Sequence, residues 1–132
     1  MPLSDLTIED MSRGIMDSVA LTGQTGSINS TNLNNSNVAG LYRVHYYIQV
    51  TTSDLAAGTI RCDISYNDGD PHTLSGQTLV LTAKNQASTF VTSTLDGSIL
   101  RHNSGSIAYS TTLIGVIGAA RYALYIVLER LQ

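Results

Sequence analysis

The sequence predicts an all-β fold, an antiparallel jelly-roll sandwich preceded by an N-terminal arm. From Leu41 onward apolar and polar residues alternate with a period of two. Turn signals interrupt that alternation every roughly ten to fifteen residues, with no helical pattern between them. Charged residues make up only 13% of the chain, against about 25% in ordinary soluble domains. Thr, Ser, Asn, Gln and Gly cover the surface instead, as suits a turn-rich β-protein. A length of 132 residues fits one domain and is enough to bury a core without disulfides or metals.

The first 23 residues stand apart. Leu6, Met11, Ile15 and Val19 recur at helical spacing, with Ile8, Met16 and Leu21 nearby and Ser4 placed as an N-cap. Gly14 weighs against a helix by about 1 kcal/mol relative to Ala. An extended arm that orders only against a partner fits equally well. "TGQTGSINSTNLNNSNVAG" (22–40) is a polar connector. The expected organisation is therefore an arm and connector over 1–38 and a sandwich over 39–132.

"LYRVHYYIQV" (41–50) places Tyr42, Val44, Tyr46, Ile48 and Val50 on one face, and Arg43, His45, Tyr47 and Gln49 on the other. "TIRCDISY" (59–66) sets Ile60, Cys62, Ile64 and Tyr66 against Arg61, Asp63 and Ser65. "NDGDP" (67–71) is turn chemistry. Weaker strands are expected at 73–82 and 87–95, with Asp96-Gly97 as a hairpin signal before 98–100. "HNSG" (102–105) is a further turn, 106–114 a strand, and "GVIGAA" (115–120) a loop before the closing strand.

That closing strand, "RYALYIVLERLQ" (121–132), breaks the one-sided rule. Tyr122, Leu124, Ile126 and Leu128 form one apolar face, and Ala123, Tyr125, Val127 and Leu131 form another. A strand apolar on both faces needs two dry neighbours. Its own core is one, and the simplest second is another copy of the chain. An N-terminal arm folded back over the face is the alternative.

Charge and motifs narrow the function. Residues 1–40 hold Asp5, Glu9, Asp10 and Asp17 against Arg13, and the remaining acids and bases balance, for a net charge of −3. Such a body does not neutralise phosphates, so nucleic acid is not an expected partner. No apolar run reaches membrane-spanning length and no signal peptide opens the chain, so no membrane is expected and synthesis belongs in a reducing cytoplasm. Cys62 is the single cysteine and reads as a small buried hydrophobe. His45, His72 and His102 lie far apart, without metal-binding spacing. No nucleophile elbow or phosphate loop occurs. Arg61 and Asp63 share one strand face and read as a surface ion pair. Neither enzyme activity, nor a metal, nor any other cofactor is expected.

"AGLYRVHYYIQV" (39–50) resembles the Gly-x-Tyr strand opening of the trimeric C1q/tumour-necrosis-factor-like jelly rolls. "ARYALYIVLERL" (120–131) is similar to their last strand, which lies at the three-fold axis. Together with "TIRCDISYNDG" and "IAYSTT", this block also resembles small structural proteins of tailed bacteriophages, among them capsid decoration (cement) proteins and receptor-binding tips. The resemblance covers residues 39–132. It implies a homotrimer with Tyr47, Tyr125, Val127 and Leu131 at the subunit interface. It further implies a virion protein on the outer capsid surface. Leu6, Ile8, Met11, Ile15, Met16 and Val19 would then form the arm that binds the major capsid protein. The alternative is a receptor- or glycan-binding head of a tail or fibre, with a shallow site at "NDGDPH" (67–72) and "RHNSG" (101–105).

Overall fold

The computed structural model describes residues 14–53, 58–81, 86–87, 99–115 and 120–132. Its strands are β1 (Gly14–Gln24), β2 (Thr31–Asn32), β3 (Gly40–Thr52), β4 (Thr59–Asn67), β5 (Pro71–Ser75), β6 (Leu79–Val80), β7 (Gln86–Ala87), β8 (Ile99–His102), β9 (Ala108–Ile114) and β10 (Arg121–Arg130). All pairings are antiparallel. One sheet runs β1-β10-β3, with β7 and β8 both pairing along the far side of β3. The other runs β2-β9-β4, with β5 and β6 both beside β4. The chain passes back and forth between the sheets, and the result is the predicted all-β jelly-roll sandwich.

The period-two pattern decides which side of each strand is dry. Tyr42, Val44, Tyr46, Ile48 and Val50 of β3 are buried, as are Ile60, Cys62 and Ile64 of β4 and Tyr122, Leu124, Ile126 and Leu128 of β10. Residues opposite each other in an antiparallel pair share a face. Leu124 faces Ile48 and Ile126 faces Tyr46, so the inward rows of β10 and β3 are one surface. The "NDGDP" turn closes the β4–β5 hairpin, with Gly69 at φ 118°, a conformation that favours glycine. The weak strand expected at 73–82 is two short pieces, β5 and β6. Asp96-Gly97 and most of 87–95 lie outside the described residues.

Two expectations about the N-terminal region change. Residues 14–24 are a strand, not a helix, and they belong to the sandwich: Gly14 pairs with Arg130 and Gln24 with Tyr122. The helix-like spacing has a simple origin. A register shift between Ile15 and Asp17 inserts Met16 as an extra residue. Met16 and Val19, three apart, can then both pack against the core. Thr31–Asn32 in turn pairs with β9. The sandwich thus includes residues 14–38, assigned to arm and connector on sequence, because burying the β10 edge and the flank of the core outweighs leaving this segment in water.

Among the described residues β1 is an edge strand, and side chains bond backbone groups on and beside it. The Asn35 amide donates to the Met16 carbonyl at 2.9 Å, and Gln24 donates to the Thr22 carbonyl at 3.0 Å. The Asp17 carboxylate accepts from the amides of Ser18 at 2.8 Å and Asn34 at 2.7 Å. With the register shifts, these bonds blunt an eleven-residue edge against open-ended pairing.

Buried polar groups stitch the sheets to the crossing segments. Tyr122 Oη donates to the Gly26 carbonyl at 2.7 Å and lies 2.7 Å from Thr111 Oγ1, which accepts the Ile28 amide at 2.9 Å. Gly76 sits where no larger residue fits. A Cβ there would meet Tyr46 Oη, the Cys62 carbonyl at 2.6 Å and Tyr46 Cζ at 2.9 Å. Tyr46 is buried, and Gly76 N donates to that same carbonyl at 2.7 Å, so neither neighbour yields easily. Gly76→Ala is expected to destabilise the fold by about 1–3 kcal/mol, measurable by urea unfolding. An unchanged midpoint would show that β5 can shift at no cost.

Candidate subunit interface

The outer face of the β1-β10-β3 sheet is where the two-sided character of β10 becomes a surface. Tyr122, Leu124, Ile126 and Leu128 are fully buried on the inner side, whereas Tyr125 on the outer side is 36% exposed. Tyr125 lies directly opposite Tyr47 of β3. The two rings pack with centroids 6.3 Å apart at 47°. Val127 follows on the same face, opposite His45. His45, Tyr46, Tyr47, Tyr125 and Val127 line an open recess of about 230 Å³.

The four interface residues expected from sequence do not all converge. Tyr47, Tyr125 and Val127 meet in the recess. Leu131 lies past the end of β10, where its amide donates to the Leu41 carbonyl at 2.7 Å; it is partly buried and does not line the recess. Ala123 is buried, which confines the accessible apolar strip to the middle of the sheet. His45 is the addition. Its place between Arg43 and Tyr47 on the polar-facing row was legible, but only pairing across to β10 puts it beside Val127 and the tyrosines. His45 is exposed, and its ring makes no hydrogen bond or ion pair with any described residue. One step further along, Arg43 and Glu129, also opposite each other, are joined at 3.3 Å.

Of the arm residues, Leu6, Ile8 and Met11 lie outside the described residues. Ile15 is 61% exposed, opposite Glu129 on the outer face. Met16 and Val19 are partly buried and pack against the chain's own core.

The two loops considered for a shallow site do come together. The Asn103 amide donates to the Asn67 carbonyl at 2.7 Å. The buried His102 ring accepts the Asn67 amide at Nδ1 (3.2 Å) and donates from Nε2 to the Gly105 carbonyl at 2.7 Å. Those partners define its tautomer as Nε2-protonated. His72 stacks on Tyr66 at 5.3 Å and meets Asp68 at 2.7 Å. Partial desolvation alone would raise the Asp68 carboxyl, but the His72 hydrogen bond, backbone amides and the His72 charge together hold it below its ordinary value. The polar groups here largely satisfy one another.

Other reactive groups are similarly quiet. Burial, then the neighbouring Asp63 charge, pushes the Cys62 thiol up to about 12, so it carries no thiolate near neutral pH. Arg61 and Asp63 form the expected ion pair at 3.0 Å. Among the described residues no cluster of His, Cys, Asp or Glu could hold a metal ion, and no helix is long and apolar enough to cross a membrane. Comparison with protein-family models and with curated proteins finds no match.

Proposed function

We propose that the protein is a homotrimeric capsid decoration protein of a bacteriophage, joined through the outer face of the β1-β10-β3 sheet. It would attach to the major capsid protein through the segment that precedes β1. The observation that carries this reading is the recess where Tyr47 of β3 meets Tyr125 and Val127 of β10, on the outer side of a strand whose inner side is already fully buried. Tyrosine suits such a surface because it combines a large apolar ring with a polar tip. A second copy is the partner that the charges favour. Arg43 and Glu129 neutralise each other within the face, so identical faces meet without like-charge repulsion. A partner of one strong charge would find nothing complementary on the strip.

The head and the attachment segment then divide the work. Three copies of a weakly binding segment on one rigid head bind far more tightly than one. Leu6, Ile8 and Met11, interspersed with Asp5, Glu9 and Asp10, give each segment apolar contacts and a negative charge for a basic capsid surface. β1 is described from Gly14, so the test removes residues 1–13, with far-UV circular dichroism to check that the strands are kept. The truncated protein is expected to keep the trimer mass in solution and to lose co-sedimentation with phage heads that lack the protein. Full capsid binding by the truncated chain would overturn attachment through this segment.

A further inference from the structure

Strand pairing brings three separate stretches of chain to one end of the sandwich. Gly14, the first residue of β1, pairs with Arg130 at the end of β10. Arg130 reaches the Ala39 carbonyl at 3.0 Å. Next in the chain, Gly40 opens β3 opposite His102, the last residue of β8. The His102 ring holds Asn67 and Gly105, and Asn67 and Pro71 are the last pair before the tip of the β4–β5 hairpin. The place where residues 1–13 join β1, the hairpin tip and the loop after β8 therefore form one rim. Neighbouring strands lie about 4.8 Å apart, so the three steps from β1 to β8 set Gly14 roughly 15 Å across the sheet from that loop.

This rim is ordered and carries charge. Residues 68–71 and 103–105 are exposed, yet the backbone beneath them is tied to the buried His102 and by the bond from the Asn103 amide to the Asn67 carbonyl. A surface that is already ordered loses little conformational entropy on binding. Asp68 and Asp70 give the tip the same sign as Asp5, Glu9 and Asp10 of the segment before β1, so one basic surface complements both.

We infer that the sandwich stands end-on, with the hairpin tip 67–71 and the loop 103–105 resting on the capsid beside the point where residues 1–13 attach. This rests on the capsid attachment proposed above. Thirteen residues span at most about 45 Å when fully extended. Once they are bound, the rim beside Gly14 is held at high effective concentration over the capsid surface, and weak polar contacts there add to attachment. Three-fold symmetry reinforces this. Rotation about the axis leaves the height of every atom along it unchanged, so the three rims lie at one level and meet one surface together.

The test places a lysine at either end of the full chain. Asn103→Lys lies on the rim. Thr52→Lys lies at the other end of β3, about 40 Å from Gly40 along the strand. Both positions are exposed, and both variants gain the same charge. Amine-reactive labelling is read by peptide mass spectrometry on free protein and on protein bound to phage heads that lack it. Sizing-column mass and far-UV circular dichroism check assembly and fold, and Asp70→Lys replaces Asn103→Lys if that variant does not fold. The inference expects Asn103→Lys to lose its labelling on heads and Thr52→Lys to label as it does in solution. Loss of head binding by folded, trimeric Asn103→Lys, with Thr52→Lys still binding, would also support it. Undiminished labelling of the rim amine on heads, or protection of Thr52→Lys, overturns the end-on contact and leaves attachment through residues 1–13 standing. Wild type that fails to bind the heads removes the attachment reading itself, and this inference with it.

Discussion

Tyr125→Glu is expected to give a folded monomer. The ring sits on the outer face of β10, 36% exposed and packed on Tyr47. Inside a single chain its loss removes one aromatic contact, worth about 1 kcal/mol. Between chains the consequence is far larger. Truncating a central aromatic in an interface commonly costs about 2 kcal/mol or more, and glutamate adds a carboxylate that must be desolvated without a cation, because Arg43 already serves Glu129. A closed trimer repeats that cost at every interface. Light scattering should show the mass fall from about 42 kDa to 14.1 kDa, with the isolated chain still unfolding cooperatively and losing only about 1 kcal/mol of stability. A trimer that survives the substitution would move the subunit contact to another face. A monomer that has also lost its cooperative unfolding would place Tyr125 in the fold rather than between copies.

The neighbouring residue should behave in the opposite way. Leu124 is fully buried, facing Ile48 across the strand pair and Leu21 on the other side. Leu124→Ala removes its buried methyl groups and leaves a cavity between sheets whose aromatic residues are held in place. Tyr122, for example, is bonded to Gly26 and lies within hydrogen-bond distance of Thr111. The expected loss is about 2–5 kcal/mol, a large part of the about 5–15 kcal/mol that holds a domain of this kind together. Denaturant unfolding measures it directly. A loss below about 1 kcal/mol would mean that the core collapses around the site and is less closely packed than the burial implies. Together the two substitutions test the two sides of β10 separately: the inner side that folds the chain and the outer side proposed to join copies.

The two faces of β10 were readable from alternation alone, as were the buried rows of β3 and β4, because a strand's side chains change sides at every residue. The hairpin at 67–71 was readable from its Asn, Asp, Gly and Pro. The helical look of residues 15–19 misled because one inserted residue in a strand produces the same three- and four-residue spacings as a helix turn. Nothing local distinguishes the two; pairing with β10 does. Leu131 misled differently. It continues the outward parity of β10, but the chain leaves the strand after Arg130 and its backbone is drawn to Leu41.

By itself, then, the sequence determined the fold class, the inward rows of the main strands and the presence of a second apolar face, since each follows from period-two patterning and turn chemistry. Only the tertiary structure decided that residues 14–24 are a strand of the sandwich, that Tyr47, Tyr125 and Val127 share one recess while Leu131 does not, and that His45 stands among them. Those facts depend on strand register, a long-range choice made by which rows of side chains can bury each other, and no single segment carries it.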